Sequence, residues 1–120
     1  TREIIVSNRF LDENGRPVPF RIRALTQEEN DAISKRSMRL VKGGRRGEKE
    51  LDSTEYASRI IAAATLEPDF SSEELCKAYG TMDPLEVPGK MLYAGEYKRL
   101  MDAIMELSRF GDELEGGAKN

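Results

Sequence analysis

The stretch DPLEVPGKMLYAGEYKRLMDAIMELSRF, Asp83 to Phe110, decides the fold, because it holds the clearest amphipathic helix in the chain. From Gly95 onward the apolar residues fall at Tyr97, Leu100, Met101, Ile104 and Leu107, with Phe110 just beyond. Spacings of three and four put them on one side of a helix. Lys98, Arg99, Asp102, Glu106 and Arg109 take the remaining circumference. Asp83-Pro84 reads as a helix start, since Asp caps and Pro is tolerated at the first helical position. Pro88-Gly89 reads as a break, Met91-Leu92-Tyr93 as a hydrophobic plug, and Gly111 as the helix stop.

Upstream, residues 3–11 mix β-branched and aromatic side chains and predict a strand. Asp12-Glu13-Asn14-Gly15 predicts a turn, because Asn and Gly accept positive φ. In residues 16–24, Val18, Phe20, Ile22 and Ala24 share one face, with Arg21 and Arg23 on the other. Pro17 and Pro19 remove two amides from one edge, so the first strand is expected on the Val18/Phe20 side and the proline edge is expected to be free.

Thr26-Gln27-Glu28-Glu29 is a capping box and predicts a helix from Gln27 to about Val41. Residues 42–50, KGGRRGEKE, have no apolar side chain and predict a mobile loop. Ser53-Thr54-Glu55 opens a helix to about Leu66 with a narrow face of small residues. Pro68 ends it. Ser71 is read as the cap of a short helix that Gly80 terminates. The tail, residues 111–120, is acidic and Gly-rich and is expected to fray. The sum is one α+β, mainly helical domain over residues 1–120: an N-terminal β-hairpin followed by four to five α-helices.

Composition narrows the function. The 120 residues include no His, one Cys, and a net charge of -3. Without His, neutral-pH acid–base catalysis and most transition-metal sites lose their usual side chain. Cys76 has no His partner and reads as a small buried hydrophobe. The acids at Glu73-Glu74 suit a helix start, and those at Asp112, Glu113 and Glu115 lack calcium-loop spacing. No catalytic, cofactor or metal residue is assigned. No run is long enough to cross a bilayer, and no secretory signal pattern is visible. Lys35, Arg36, Arg39, Lys42, Arg45 and Arg46 form a basic run. It has no interleaved aromatic residue, so nucleic-acid binding through residues 35–46 is the weaker reading beside a solvated helix end. Met82, Met91, Met101 and Met105 gather around the opening stretch, and methionine suits surfaces that accept varied helices. The residues alone describe a small, non-enzymatic, protein-binding domain.

The segments RALTQEENDAI, EYASRIIAAATLEPDFSSEELCKAYGTMDPLEVPGKML and KMLYAGEYKRLMDAIMELSRF, in that order, resemble the XkdN-like phage tail assembly chaperones of prophages and defective prophage elements of Gram-positive bacteria. The resemblance spans about Glu3 to Phe110. Its most specific pieces are Pro68-Asp69-Phe70, Tyr79-Gly80 with Asp83-Pro84, and Gly95-Glu96-Tyr97. Arg109 stands where the family often has Gly. The resemblance implies a chaperone that binds the tape measure protein, a long helical client, and keeps it soluble while the tail tube polymerises. It also implies action in the host bacterial cytoplasm and absence from the finished particle. Some relatives carry a frameshifted extension that recruits tail tube protein, which makes that protein a further expected partner. Oligomeric state is left open, a homo-oligomer included. The expected docking surface is the outer side of the last helix (Met91, Tyr93, Tyr97, Met105) with the basic helix end (Arg36, Arg39). A structural tail component is the other alternative.

Overall fold

The computed structural model describes residues 1–110, so the expected frayed tail lies outside the described residues, whereas the last helix, expected to stop at Gly111, already ends at Leu107. The N-terminal hairpin is present, but its arms are unequal. Strand β1 (Arg2–Ile4) pairs antiparallel with β2 (Phe20–Ile22), Ile4 opposite Phe20. Nearer the turn, Leu11 bridges Pro17. Residues 5–10 therefore face only residues 18 and 19, and the first arm bulges out between the two pairings. The bulge drives Val6 and Ser7 inward. Asp12 closes the turn by accepting from the Asn14 and Arg16 amides, and Gly15 takes φ 76°.

The prolines act as expected on one side and differently on the other. Val18 donates its amide to the Phe10 carbonyl, so the first arm takes the non-proline edge. The other edge is not free along its length. Past Pro19 it is taken by β5 (Thr65–Glu67), which makes β2 the centre of a three-stranded sheet, β1-β2-β5. Phe20 and Ile22 are buried, whereas Val18 and Ala24 are exposed and Leu25 is the next residue inside.

Helix α1 (Gln27–Arg36) starts at the capping box, with Thr26 and Glu29 exchanging bonds as read. It ends five residues earlier than predicted. Ser37 is buried and its hydroxyl donates to the Ile33 carbonyl at 2.7 Å, which closes the last turn. The chain leaves as β3 (Met38–Leu40), paired antiparallel with β4 (Lys49–Leu51). The glycine-rich segment expected to be a mobile loop is the tip of this second hairpin. Within it, the Val41 amide donates to the Glu48 carbonyl, and Gly43 and Gly47 take positive φ.

Asp52 caps α2 (Ser53–Ala64), accepting from the Thr54 and Glu55 amides. Ile60, Ile61 and Ala64 of α2 are fully buried. After β5, Ser72 rather than Ser71 caps α3 (Glu73–Ala78); the Ser71 hydroxyl bonds Asp69 instead. Gly80, at φ 68°, follows its end. Asp83 caps a single 3-10 turn, Pro84–Glu86, which runs directly into α4 (Val87–Met91). Pro88-Gly89 does not break the chain here. Pro88 lies in the first turn of α4, where no acceptor awaits its missing amide, and it is buried.

Helix α5 (Ala94–Leu107) is the predicted long helix. Leu100 and Ile104 are fully buried, with Met101, Ala103 and Leu107 packed at their margin. The core lies where α2, α4 and α5 meet the inner face of the β1-β2-β5 sheet, with Phe20 edge-on to Phe70. Helix α5 closes in a Schellman motif: Phe110 donates to the Met105 carbonyl and Arg109 to Glu106. Arg109 holds the left-handed position at φ 63°, the one non-glycine residue among those described to do so.

Candidate protein-docking interface

The centre of the α5 stripe is core, and the expected docking residues around it differ in exposure. Met91 is 8% exposed and belongs to the core. Tyr97 and Met105 are half-buried. Tyr97 lines an open groove of about 620 Å³ with Ala57 and Ser58 of α2 and Leu85 and Lys90 of the α4 region. Tyr93 is different: 66% of it is exposed.

Tyr93 is held by an ionic node that sequence reading did not find. Arg9, from the bulge of the first arm, reaches Glu96 of α5 with two nitrogens, at 3.0 and 2.5 Å, and donates a further bond to the Met91 carbonyl. Its guanidinium lies 4.0 Å from the centre of the Tyr93 ring and 4.7 Å from that of Phe10, a cation–π arrangement with both. Glu96 is buried and also accepts from the Tyr93 amide at 2.8 Å, which caps α5. Hydrogen bonding from Arg9, with smaller help from Ser7 and the Tyr93 amide, pulls the Glu96 carboxyl down from its usual 4.5 to about 2. The Gly95-Glu96-Tyr97 motif thus joins the N-terminal arm to the last helix. Arg99 adds a second tie by donating to the Val6 carbonyl.

A second exposed apolar surface lies on the β3–β4 hairpin. Met38 is directly opposite Leu51, and Leu40 directly opposite Lys49. Strand geometry puts these four on one face and Arg39 and Glu50 on the other. Met38 is 41% exposed, Leu40 66% and Leu51 43%. All six strand residues are exposed, so neither face of this small sheet is covered by the described residues. The reverse face is internally satisfied: Arg39 pairs with Glu50 at 3.9 Å and with Asp52 at 3.6 Å.

The basic run is therefore not one helix end. Lys35 and Arg36 close α1, Arg39 is ion-paired on β3, and Lys42, Arg45 and Arg46 ride on the hairpin tip. Glu48 turns inward to accept from the Arg45 amide at 2.9 Å. Cys76 is buried and points its thiol at the Phe70 carbonyl. No helix among the described residues is long and apolar enough to cross a membrane.

The described residues thus form a bulged sheet sealed by helices, with a separate hairpin that exposes apolar side chains. Residues 1–119 match the Phage XkdN-like tail assembly chaperone family. The chain belongs to that family. It is 40% identical over 116 residues to the uncharacterized protein YqbN of Bacillus subtilis, covering 94% of this chain and 77% of YqbN. It is 37% identical over 116 residues to the phage-like element PBSX protein XkdN of the same organism, covering 94% and 78%. The crystal structure of YqbN is similar to this fold, with a TM-score of 0.76 and 34% identity over 91% of this chain and 84% of that one.

Proposed function

We propose that this chain binds the tape measure protein of its phage and keeps it soluble while the tail tube polymerises around it. The role is non-enzymatic and is played in the cytoplasm of the host bacterium, with the chain released before the particle is complete. Membership of a tail assembly chaperone family supplies the setting. The observation that carries the reading is the uncovered face of Met38, Leu40 and Leu51. A client that is long, helical and striped with apolar residues needs modest, adaptable contacts of this kind in place of a deep pocket. Tyr93 and the groove beside Tyr97 offer secondary contacts, as do Met105, Arg36 and Arg39 at their margins. Tail tube protein is a further partner on the same reading.

Co-expression tests it. The tape measure protein is expected in the soluble fraction with this chain present and in the pellet without it. Equal insolubility in both cases rejects the proposal. Recovery of this chain in stoichiometric amount from purified particles also rejects it, in favour of a structural tail component.

A further inference from the structure

We infer that the apolar face of the β3–β4 hairpin holds a client segment that is an amphipathic helix with acidic residues flanking its apolar stripe. This rests on the reading that the chain binds a long helical client, and it specifies the chemistry of the bound segment.

The face has the width of one helix. Met38 and Leu40 are two residues apart on one strand, roughly 7 Å, and Leu51 lies on the adjacent strand roughly 5 Å away. Apolar residues three and four apart on a helix recur at about 5–6 Å, so one stripe spans the patch. A two-stranded sheet this short is marginal when both faces are wet, so a cover on the apolar face stabilises it.

Charge chooses the occupant. The segment from Lys35 to Asp52 carries seven Lys and Arg against three acids, a balance of +4, while the whole chain is -3 and the remainder therefore -7. Among the described residues Lys35, Arg36, Lys42, Arg45, Arg46 and Lys49 form no ion pair; Arg39 does. Lys49 stands on the apolar face itself, opposite Leu40. Apolar side chains that share a face with Lys49, in a segment of net positive charge, complement an apolar stripe edged by carboxylates. A second copy of the chain is disfavoured, because symmetric packing of this face sets one +4 lobe against another. The chain's own acidic end carries Leu114 as its one large apolar residue and offers no stripe. Nucleic acid would use the cations but not the apolar centre.

The test uses the full chain and a synthetic helical peptide with a leucine stripe flanked by glutamates, followed by fluorescence anisotropy. Two controls replace the glutamates by lysines or the leucines by glutamines. The glutamate–leucine peptide is expected to bind, less tightly as salt rises. Each control, the Leu40→Asp variant and the Arg46→Glu/Lys49→Glu double variant are expected to bind about tenfold or more weakly. All these positions are exposed, so the thermal melts of the variants should overlay that of the parent. Equal binding of either control peptide, or unaltered binding by Leu40→Asp and by the double variant, overturns the inference. So does a dimer in sedimentation that Leu40→Asp dissociates, or DNA binding that survives Leu40→Asp and displaces the peptide. Co-expression separates this inference from its premise. If Leu40→Asp solubilises the tape measure protein as well as the parent does, the surface is wrong and the chaperone reading stands. If the parent fails to solubilise it, the premise has failed whatever the peptide does.

Discussion

The chain builds two antiparallel sheets from strands of three residues and uses them in opposite ways. In β1-β2-β5 the central strand buries Phe20 and Ile22 under α2 and α5. In β3–β4 the corresponding apolar side chains, Met38, Leu40 and Leu51, face outward. Strand propensity does not separate them, since both hold alternating apolar and charged residues. What separates them is whether helices cover the sheet, which is a property of the surrounding chain. One sheet contributes to the core and the other leaves its apolar side chains exposed.

The contrast is broken most forcefully by truncating each region in turn. Leu100→Ala, beneath the first sheet, is expected to destabilise the protein by about 3 kcal/mol in urea unfolding, from lost burial plus a cavity. Leu40→Ala on the second sheet should change stability by no more than about 0.5 kcal/mol. Comparable losses at the two positions would mean that the hairpin is structural.

The ionic node beside the first sheet gives the next effect, and pH reads it. The folded Glu96 carboxyl titrates at about 2, below the usual 4.5. Its contribution to stability is thus complete above about pH 4.5 and is lost as pH falls toward 2. Glu96→Gln should lower the melting temperature at pH 7, and the gap from the parent should close as pH falls to 2. Glu29, bonded to Arg23, is shifted the same way to about 2, so the variant keeps part of the acid sensitivity. A gap that stays constant from pH 7 to pH 2 would mean that Glu96 acts only through packing.

Two smaller changes sharpen the comparison by improving the sealed region. The Thr65 hydroxyl on β5 is buried without a hydrogen-bond partner among the described residues. Thr65→Val replaces it with a methyl group and should add about 1 kcal/mol. Arg109→Gly removes the side chain from a left-handed position and should add about 0.5–1 kcal/mol. A loss of stability in either case, measured by urea unfolding, would mean that the side chain makes contacts that these geometries do not include.

The parts of the fold legible in the sequence were those whose signals are local. The Thr26–Glu29 capping box, the Asp12–Gly15 turn, the α5 stripe and the α+β class need only nearby residues. The hairpin was hidden because Met38-Arg39-Leu40 follows a helix directly and is too short to show alternation. Lys49-Glu50-Leu51 across three intervening glycines was the available clue. Strand β5 is fixed by its pairing with β2, which overrides the helical character of the Ala62–Ala64 run before it. The site was less legible still. Arg9 and Glu96 lie 87 positions apart, and no local pattern couples them. Of the residues expected on the outer side of the last helix, Met91 is taken by the core, Tyr97 and Met105 are half-buried and Tyr93 is exposed, and spacing along one helix does not distinguish these outcomes.

Asp52 serves two elements at once. Its amide donates to the Ser37 carbonyl at 2.7 Å, its carboxylate receives the first amides of α2, and Arg39 leans on the same group. The hairpin and the main body therefore share one fastening. A force that twists the hairpin out of line also loosens the opening turn of α2, so amide exchange at Thr54 and Glu55 is a built-in gauge of hairpin displacement.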